Sequence, residues 1–342
     1  MDLFSLARPV LHRLPPELVH SWTIRAMALV GGSGLLRRWV RGWTGPPVHD
    51  PIRLWDLELP NRVGLAAGYD KDARAWRGLG ALGFGHLELG TVTPRPQPGN
   101  PRPRVFRLSE DRALVNRLGF PSAGSEAFAS RLPAEQPTGG PILGVNLGKQ
   151  KETPLAEAVE DYVGLLRRLG GQAGYVAVNL SSPNTPELRR LQGREYLGAL
   201  LSALVRERDV LAGRRVPLLL KLAPDLGGPE IDEAVDTALE AGVDGLIATN
   251  TTVSRPPGLR SPMAGEPGGL SGAPLGDIAA WVLEHIANRV GGRVPLVAVG
   301  GIMSGEDARR RRDAGATLVQ IYTGLVYGGP GLVREIAAAV RG

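Results

Sequence analysis

The chain has 342 residues, enough for one large α/β barrel or two smaller domains, and its 43% hydrophobic and 22% charged residues mark it as globular rather than disordered. Its 40 Lys and Arg against 34 Asp and Glu give +6, but the Arg are spread along the chain; even the run 309–312 reads as the solvated face of a helix, so no nucleic-acid partner is expected, while an anionic substrate or an anionic lipid surface suits the balance. The absence of Cys excludes disulfides, thiolate metal sites, iron–sulfur ligation within the chain and thiol catalysis, and five scattered His with no His-Glu-x-x-His spacing leave no metal site expected.

Two helical series open the chain. Leu3, Leu6, Ala7, Val10, Leu11 and Leu14 recur at helical spacing, and after Pro15 and Pro16 so do Leu18, Trp22, Ala26 and Leu29. The glycine-rich run 31–34 ends the second series, and the segment to Pro47 adds Trp39 and Trp43 among several Arg. This predicts a helical hairpin over residues 1–45, set before a barrel domain of residues 46–342. Such a hairpin either plugs the bottom of the barrel, or rests in a lipid headgroup layer and admits a lipophilic ligand. The run 31–34 is no dinucleotide fingerprint, because no strand precedes it, and Gly148-Lys149 lacks the spacing of a phosphate loop. No apolar run approaches the roughly 20 residues that span a bilayer, and no cleavable signal is evident, so an intracellular chain that does not cross a membrane is expected.

From Val63 onward, short apolar runs alternate with helix-like stretches. The runs are 63–67, 86–89, 142–146, 175–180, 217–222, 245–249, 295–299 and 317–322; the stretches are 72–82, 154–169, 194–212, 229–241, 274–290, 305–314 and 330–340. Eight strands in strict alternation with helices predict a parallel (β/α)8 TIM barrel. The rival, a doubly wound sheet, would gather ligand residues at one switch point. Here polar and glycine residues follow nearly every strand: Gly68 to Lys71, Gly90 and Thr91, Asn146, Asn179 to Asn184, Lys221, Thr249 and Asn250, Gly300 and Gly301, and Tyr322 and Thr323. In a barrel these tips converge on one face. Each alone could be a cap or a turn, but lysine has no capping preference there.

The most informative tip is 179–184, where Ser181 and Ser182 stand between two carboxamides and Pro183 stiffens the loop. Two loops stand out as well. The Pro-rich stretch 93–104 leads into a small excursion that returns at 116–120, and 251–273 is long and rich in Gly and Pro, which suits a loop folded over a ligand.

Together the motifs 66–72 (AAGYDKD), 90–100 (GTVTPRPQPGN), 116–120 (NRLGF), 179–185 (NLSSPNT), 221–225 (KLAPD), 248–252 (ATNTT), 268–272 (GGLSG), 299–302 (VGGI) and 319–324 (VQIYTG) closely resemble the quinone-dependent (class 2) dihydroorotate dehydrogenases. The resemblance covers essentially the whole chain. It implies an FMN-containing barrel that oxidises dihydroorotate to orotate in pyrimidine biosynthesis and passes the electrons to a membrane quinone. By that resemblance Ser182 is the base that removes the C5 proton while hydride leaves C6 for the flavin. Asn116, Asn179, Asn184, Asn250 and Thr251 hold the pyrimidine ring and its carboxylate, bordered by Lys71, Arg117, Leu118, Gly119 and Phe120. Ala67, Gly68, Lys71, Thr91, Asn146, Asn179, Lys221, Thr249, Gly272, Gly301, Tyr322 and Thr323 bind FMN. His20, Arg107 and Tyr322 line a quinone tunnel under the hairpin. The family has Leu where this chain has Tyr69, a departure expected to matter little. The resemblance further implies a monomer without an obligate protein partner, held peripherally on the cytoplasmic side of the cell membrane through residues 1–45.

The chemistry of the residues supports these roles. Carboxamides match the edges of a flat ring carrying carbonyls and N–H groups without adding charge, and a lysine beside a flavin stabilises its reduced, anionic form. Phosphate binding after strands seven and eight is habitual in this fold. A serine is a weak base near neutrality and has to hand its proton on, so turnover should rise with pH. A flavin barrel acting on RNA is the main rival, but that chemistry relies on a cysteine acid; a non-catalytic scaffold would have no use for Ser182 and two lysines beside four asparagines.

Overall fold

The computed structural model describes residues 3–182, 184 and 192–342; Pro183 lies outside them. Three helices come first, α1 (Leu3–Leu11), α2 (Pro16–Gly32) and α3 (Gly34–Thr44), followed by a hairpin of β1 (Ile52–Leu54) and β2 (Leu57–Leu59). Eight parallel strands then close a barrel in the order β3 (Val63–Leu65), β4 (His86–Val92), β7 (Ile142–Leu147), β8 (Tyr175–Asn179), β9 (Leu218–Leu222), β10 (Gly245–Ala248), β12 (Leu296–Val299) and β13 (Leu318–Ile321). The strands β5 (Val105–Leu108), β6 (Ala113–Asn116) and β11 (Gly269–Gly272) form a separate antiparallel sheet. The barrel's helices are α4 (Trp76–Gly80), α5 (Ser125–Ala129), α6 (Ala158–Leu169), α7 (Arg194–Val210), α8 (Gly228–Ala241), α9 (Gly276–Val290), α10 (Gly305–Asp313), α11 (Thr323–Gly328) and α12 (Gly331–Ala339). All eight expected strands are present within two residues at either end, apart from β4, which runs three residues further.

The apolar residues divide between two layers, as strand alternation requires. Val176, Val178, Leu218, Leu220 and Leu222 face the helices, whereas Tyr175, Ala177, Leu219, Ile247, Val297 and Leu318 face inward. Each fully buried Leu or Val contributes roughly 1.5–3 kcal/mol.

The N-terminal segment departs from expectation. The run at residues 31–34 ends α2 as expected, but a third helix follows at once, capped by Ser33, whose Oγ accepts the Leu36 N–H. The glycine at 31 also serves a close contact: a Cβ there would lie 3.0 Å from the Arg77 Cβ, and one on Gly78 would lie 2.0 Å from the Met27 carbonyl, so α2 rests directly on α4. The bottom of the barrel is covered by the β1–β2 hairpin, whose Leu57 and Leu59 join the inner cluster with Trp55 packed beside them. Residues 1–45 therefore are not the plug.

The long stretch 251–273 is also more than a loop. Its end is β11, which pairs with β6 in the register Gly269↔Asn116 to Gly272↔Ala113. The Arg run at 309–312 needs a further correction: Arg309 and Arg310 are exposed, but Arg311 is buried.

Candidate active site

Inside the barrel the polar residues occupy successive layers. Lowest are His86 and Tyr175, in edge contact at 6.2 Å. Gly64 and Gly144 make room for them, since a Cβ on either would come within 2.1 Å of the facing ring. Burial depresses the His86 pKa to about 4 against the attraction of Glu88, so the ring is neutral.

Above them Glu88, 1% exposed, gathers three donors. Its Oε1 accepts from Asn146 Nδ2 at 2.7 Å and Lys221 Nζ at 3.2 Å, and its Oε2 from Gln320 Nε2 at 2.8 Å. A buried carboxylate is tolerable only when paired in this way. Gln320 and Lys221 border a cavity with about 1170 Å³ of free space at the strands' C-terminal ends, and Gln320 Oε1 is buried there without a partner.

The next layer consists of carboxamides and hydroxyls locked to one another. Thr91 Oγ1 donates to Asn146 Oδ1 at 2.6 Å, and Asn179 Nδ2 donates to the same oxygen at 3.1 Å. Ser181 Oγ donates to Asn179 Oδ1 at 3.0 Å and accepts from Asn250 Nδ2 at 2.9 Å. Nearer the mouth, Asn184 donates from its side chain to Asn116 Oδ1 at 3.2 Å and from its backbone N–H to Ser182 Oγ at 3.2 Å. Ser182 is 5% exposed and borders the cavity.

At the other end the wall is backbone. Gly68, Gly272, Gly300 and Gly301 border the cavity with φ of +94°, +95°, +118° and +70°, the left-handed region that glycine enters without strain. Thr323 Oγ1 and Ser271 Oγ bond at 2.8 Å beside them.

A second cavity, with about 2820 Å³ of free space, lies between α1–α2 and the barrel, and Lys71, Val105, Leu114, Leu118, Pro121 and Tyr322 border both cavities. At the junction three rings stand edge to face, His20 on Tyr69 at 5.3 Å and Tyr69 on Tyr322 at 5.2 Å. His20 Nε2 bonds the Tyr69 carbonyl oxygen at 2.8 Å, and burial, assisted by the Lys71 charge, lowers its pKa to about 3. Lys71 Nζ donates to the Gly68 carbonyl at 2.6 Å; burial and then the Arg104 charge bring its pKa down to about 8. Arg107 reaches across to the carbonyls of His12 and Leu14, at 2.9 and 3.0 Å, and Arg104 pairs with Glu17 at 2.9 Å, tying the extension to β5 and the loop before it.

Of the first-cavity residues named from the sequence, Ala67, Gly68, Lys71, Thr91, Asn116, Leu118, Gly119, Phe120, Asn179, Ser182, Asn184, Lys221, Thr249, Asn250, Thr251, Gly272, Gly301, Tyr322 and Thr323 all border it. Two do not. Asn146 is fully buried beneath the wall, and Arg117 follows inward-facing Asn116 and turns outward, pairing with Glu266 at 2.6 Å and lying over the Phe106 ring. His20, Arg107 and Tyr322 border the second cavity together. Sequence reasoning missed Glu88 and Gln320, and it gave Ser181 no role of its own. The signal for Glu88 was its place in β4, where His86, Glu88 and Gly90 occupy alternate, inward positions of an otherwise apolar run.

The cavity fits FMN on three counts: a buried cation, Lys221, on its wall; an acceptor, Gln320 Oε1, without a partner; and one end formed by bare glycine backbone. Comparison with known proteins identifies the family. A family model described as dihydroorotate dehydrogenase matches residues 51–341. A protein of Halorhodospira halophila named dihydroorotate dehydrogenase (quinone) is 50% identical over 99% of this chain and 98% of its own, and one of Delftia acidovorans with the same name is 48% identical over 98% and 97%. A crystal structure of an Eimeria tenella dihydroorotate dehydrogenase in complex with ferulenol superposes with a TM-score of 0.86 at 37% identity, covering 95% of this chain and 90% of that one.

Proposed function

The chain belongs to the dihydroorotate dehydrogenase family, and we propose that its two cavities house the two halves of one reaction. It is an oxidoreductase of pyrimidine biosynthesis that oxidises dihydroorotate to orotate with a quinone as electron acceptor. FMN bound in the first cavity would accept hydride from the substrate and release the electrons to the quinone. Lys221 and Lys71 would stand at its ring, Thr91, Thr249, Asn179 and the backbone of Ala67 and Gly68 beside it, and Gly272, Gly301, Tyr322 and Thr323 at its phosphate. Asn146 is too deep to border the cavity and instead orients Thr91 and Asn179.

The substrate is a planar ring with alternating carbonyl and N–H edges, and Asn116, Asn179, Asn184 and Asn250 present both donors and acceptors to it without a charge that would repel its carboxylate. Their mutual hydrogen bonds fix each amide's orientation before substrate arrives, so little ordering cost remains at binding. Among the described residues, Ser182 is the only hydroxyl in this layer that borders the cavity without being engaged as a donor to a neighbouring asparagine, which supports its role in taking the C5 proton. A neutral hydroxyl holds that proton poorly and must pass it on, so the reductive half-reaction speeds up as pH rises.

The quinone would enter the second cavity and meet Tyr322 and Tyr69 at its inner end. No described helix is long and apolar enough to cross a membrane. The outer faces of the N-terminal helices nevertheless expose Leu6, Val10, Leu29, Leu35 and Trp39, at 60–79% of their surface, with Arg38 and Arg41 among them. That mixture suits an anionic headgroup layer, and supports peripheral attachment of a monomer to the cytoplasmic face of the membrane.

The observation that carries this reading is the convergence of Ser182, four asparagines and Lys221 on a cavity that shares a wall with a second one beneath the N-terminal helices. Ser182→Ala tests it. The variant should still bind orotate, seen as a perturbed flavin spectrum, yet be reduced by dihydroorotate at least ~10²-fold more slowly. Reduction at the wild-type rate would clear Ser182 of the role.

A further inference from the structure

Behind the glycine end of the first cavity, and not on its wall, lies a buried guanidinium, with Asp307, Asp277 and Glu284 near enough to favour its charge. Arg311, on α10, is only 8% exposed although its neighbour Arg310 faces solvent. Its Nη2 donates to the Gly276 carbonyl at 2.5 Å and to the Gly300 carbonyl at 3.5 Å, while its Nε is buried without an acceptor. It makes no ion pair with a carboxylate among the described residues. Burying a cation in this way is costly unless something else gains from it.

The two carbonyls belong to the segments that meet most tightly at this end of the barrel. Gly276 opens α9, Gly300 follows β12, and a Cβ on Gly301 would lie 2.2 Å from the Gly276 Cα. A trans peptide is planar, with its C=O and N–H directed oppositely. Drawing the Gly300 carbonyl toward Arg311 therefore turns the N–H of Gly301, which borders the cavity, to the side away from the guanidinium.

We propose that Arg311 is the positioning residue for the anionic end of the cofactor: it clamps Gly276 against Gly300, presents the Gly301 N–H to the phosphate, and sets a positive charge behind it. The inference rests on FMN occupying the first cavity. A phosphate is recognised by oriented N–H donors and positive charge, and both are lost when the clamp is removed, whereas the flavin ring's contacts with Lys221, Thr91 and the asparagine layer are not.

Riboflavin, which is FMN without the phosphate, separates the two. Full-length protein is equilibrated with equal concentrations of FMN and riboflavin, and the ratio of the two bound is read by chromatography after rapid desalting. Wild type should favour FMN strongly. Arg311→Met should lower the bound ratio by about tenfold or more, from the loss of charge-assisted hydrogen bonding, and Arg311→Lys should restore most of it. Arg311→Gln, which keeps a neutral donor, serves if the methionine variant fails to fold, and should show the same selective loss. A ratio unchanged in Arg311→Met or Arg311→Gln would overturn the proposal, as would a lysine variant no better than the neutral ones. A wild-type protein with no preference for FMN would instead overturn the reading of the cavity itself.

Discussion

At the scale of single residues, Tyr69 stands beside Tyr322, one of the residues that border both cavities. Its ring is 7% exposed, wedged between His20 and Tyr322, and burial raises its pKa to about 12, so it stays a neutral phenol. The family resemblance has Leu at this position, a departure expected to matter little; the geometry gives it more weight, because the ring borders the second cavity beside Tyr322. Edge-to-face pairs are worth about 0.5–1.5 kcal/mol each. Tyr69→Leu should therefore raise the KM for a short-chain ubiquinone by roughly two- to tenfold in steady-state assays, with the flavin-reduction step monitored separately; an unaltered quinone KM would remove Tyr69 from the acceptor site. Lys221, Asn179, Asn184 and Asn250 were legible in the sequence because each follows an apolar run, whereas Asn116 came only through the motif at 116–120. Glu88 was not, since it lies one layer deeper and its partners Asn146, Lys221 and Gln320 come from three other strands.

At the scale of elements, the strands were legible because the β/α alternation and the apolar runs are local signals. The third N-terminal helix was not. The glycines at 31 and 32 do end α2, and one of them also serves its packing on α4, but Ser33 starts the next helix at once. β11 was hidden for a different reason: its partner is β6, more than 150 residues earlier, and nothing within 251–273 announces that pairing. The same helices give two predictions. Removing residues 1–45 should leave reduction by dihydroorotate within a few-fold of wild type while quinone-dependent turnover falls at least tenfold, if that segment houses the acceptor; quinone kinetics that survive the deletion would refute it. Leu35→Glu combined with Trp39→Glu, both at exposed positions, should weaken cosedimentation with anionic lipid vesicles without lowering activity toward a water-soluble quinone. Undiminished cosedimentation would place the membrane contact elsewhere.

At the scale of the whole molecule, the barrel has a polar column where such folds usually have an apolar one, and this makes its stability depend on pH. His86 would take up a proton near 6.5 in the unfolded chain but only near 4 in the fold, so between these values the unfolded form binds more protons and stability falls as pH falls. From pH 7 to pH 4 this one ring accounts for about 3 kcal/mol. His86→Gln should flatten the loss in urea unfolding by that amount; an identical pH profile would mean that His86 is not the buried neutral group described. The column also leads up through Glu88 to the first cavity, and Tyr322 and Lys71 border both that cavity and the second, so the two share one wall. Double-mixing stopped flow tests this directly. The protein is mixed anaerobically with dihydroorotate until the flavin absorbance near 450 nm is lost, roughly the region where oxidised flavins absorb, and then with a ubiquinone analogue. Bleaching by dihydroorotate alone followed by full recovery of colour on adding quinone is the predicted result; a protein with no flavin, or one whose colour dihydroorotate leaves unchanged, would contradict it.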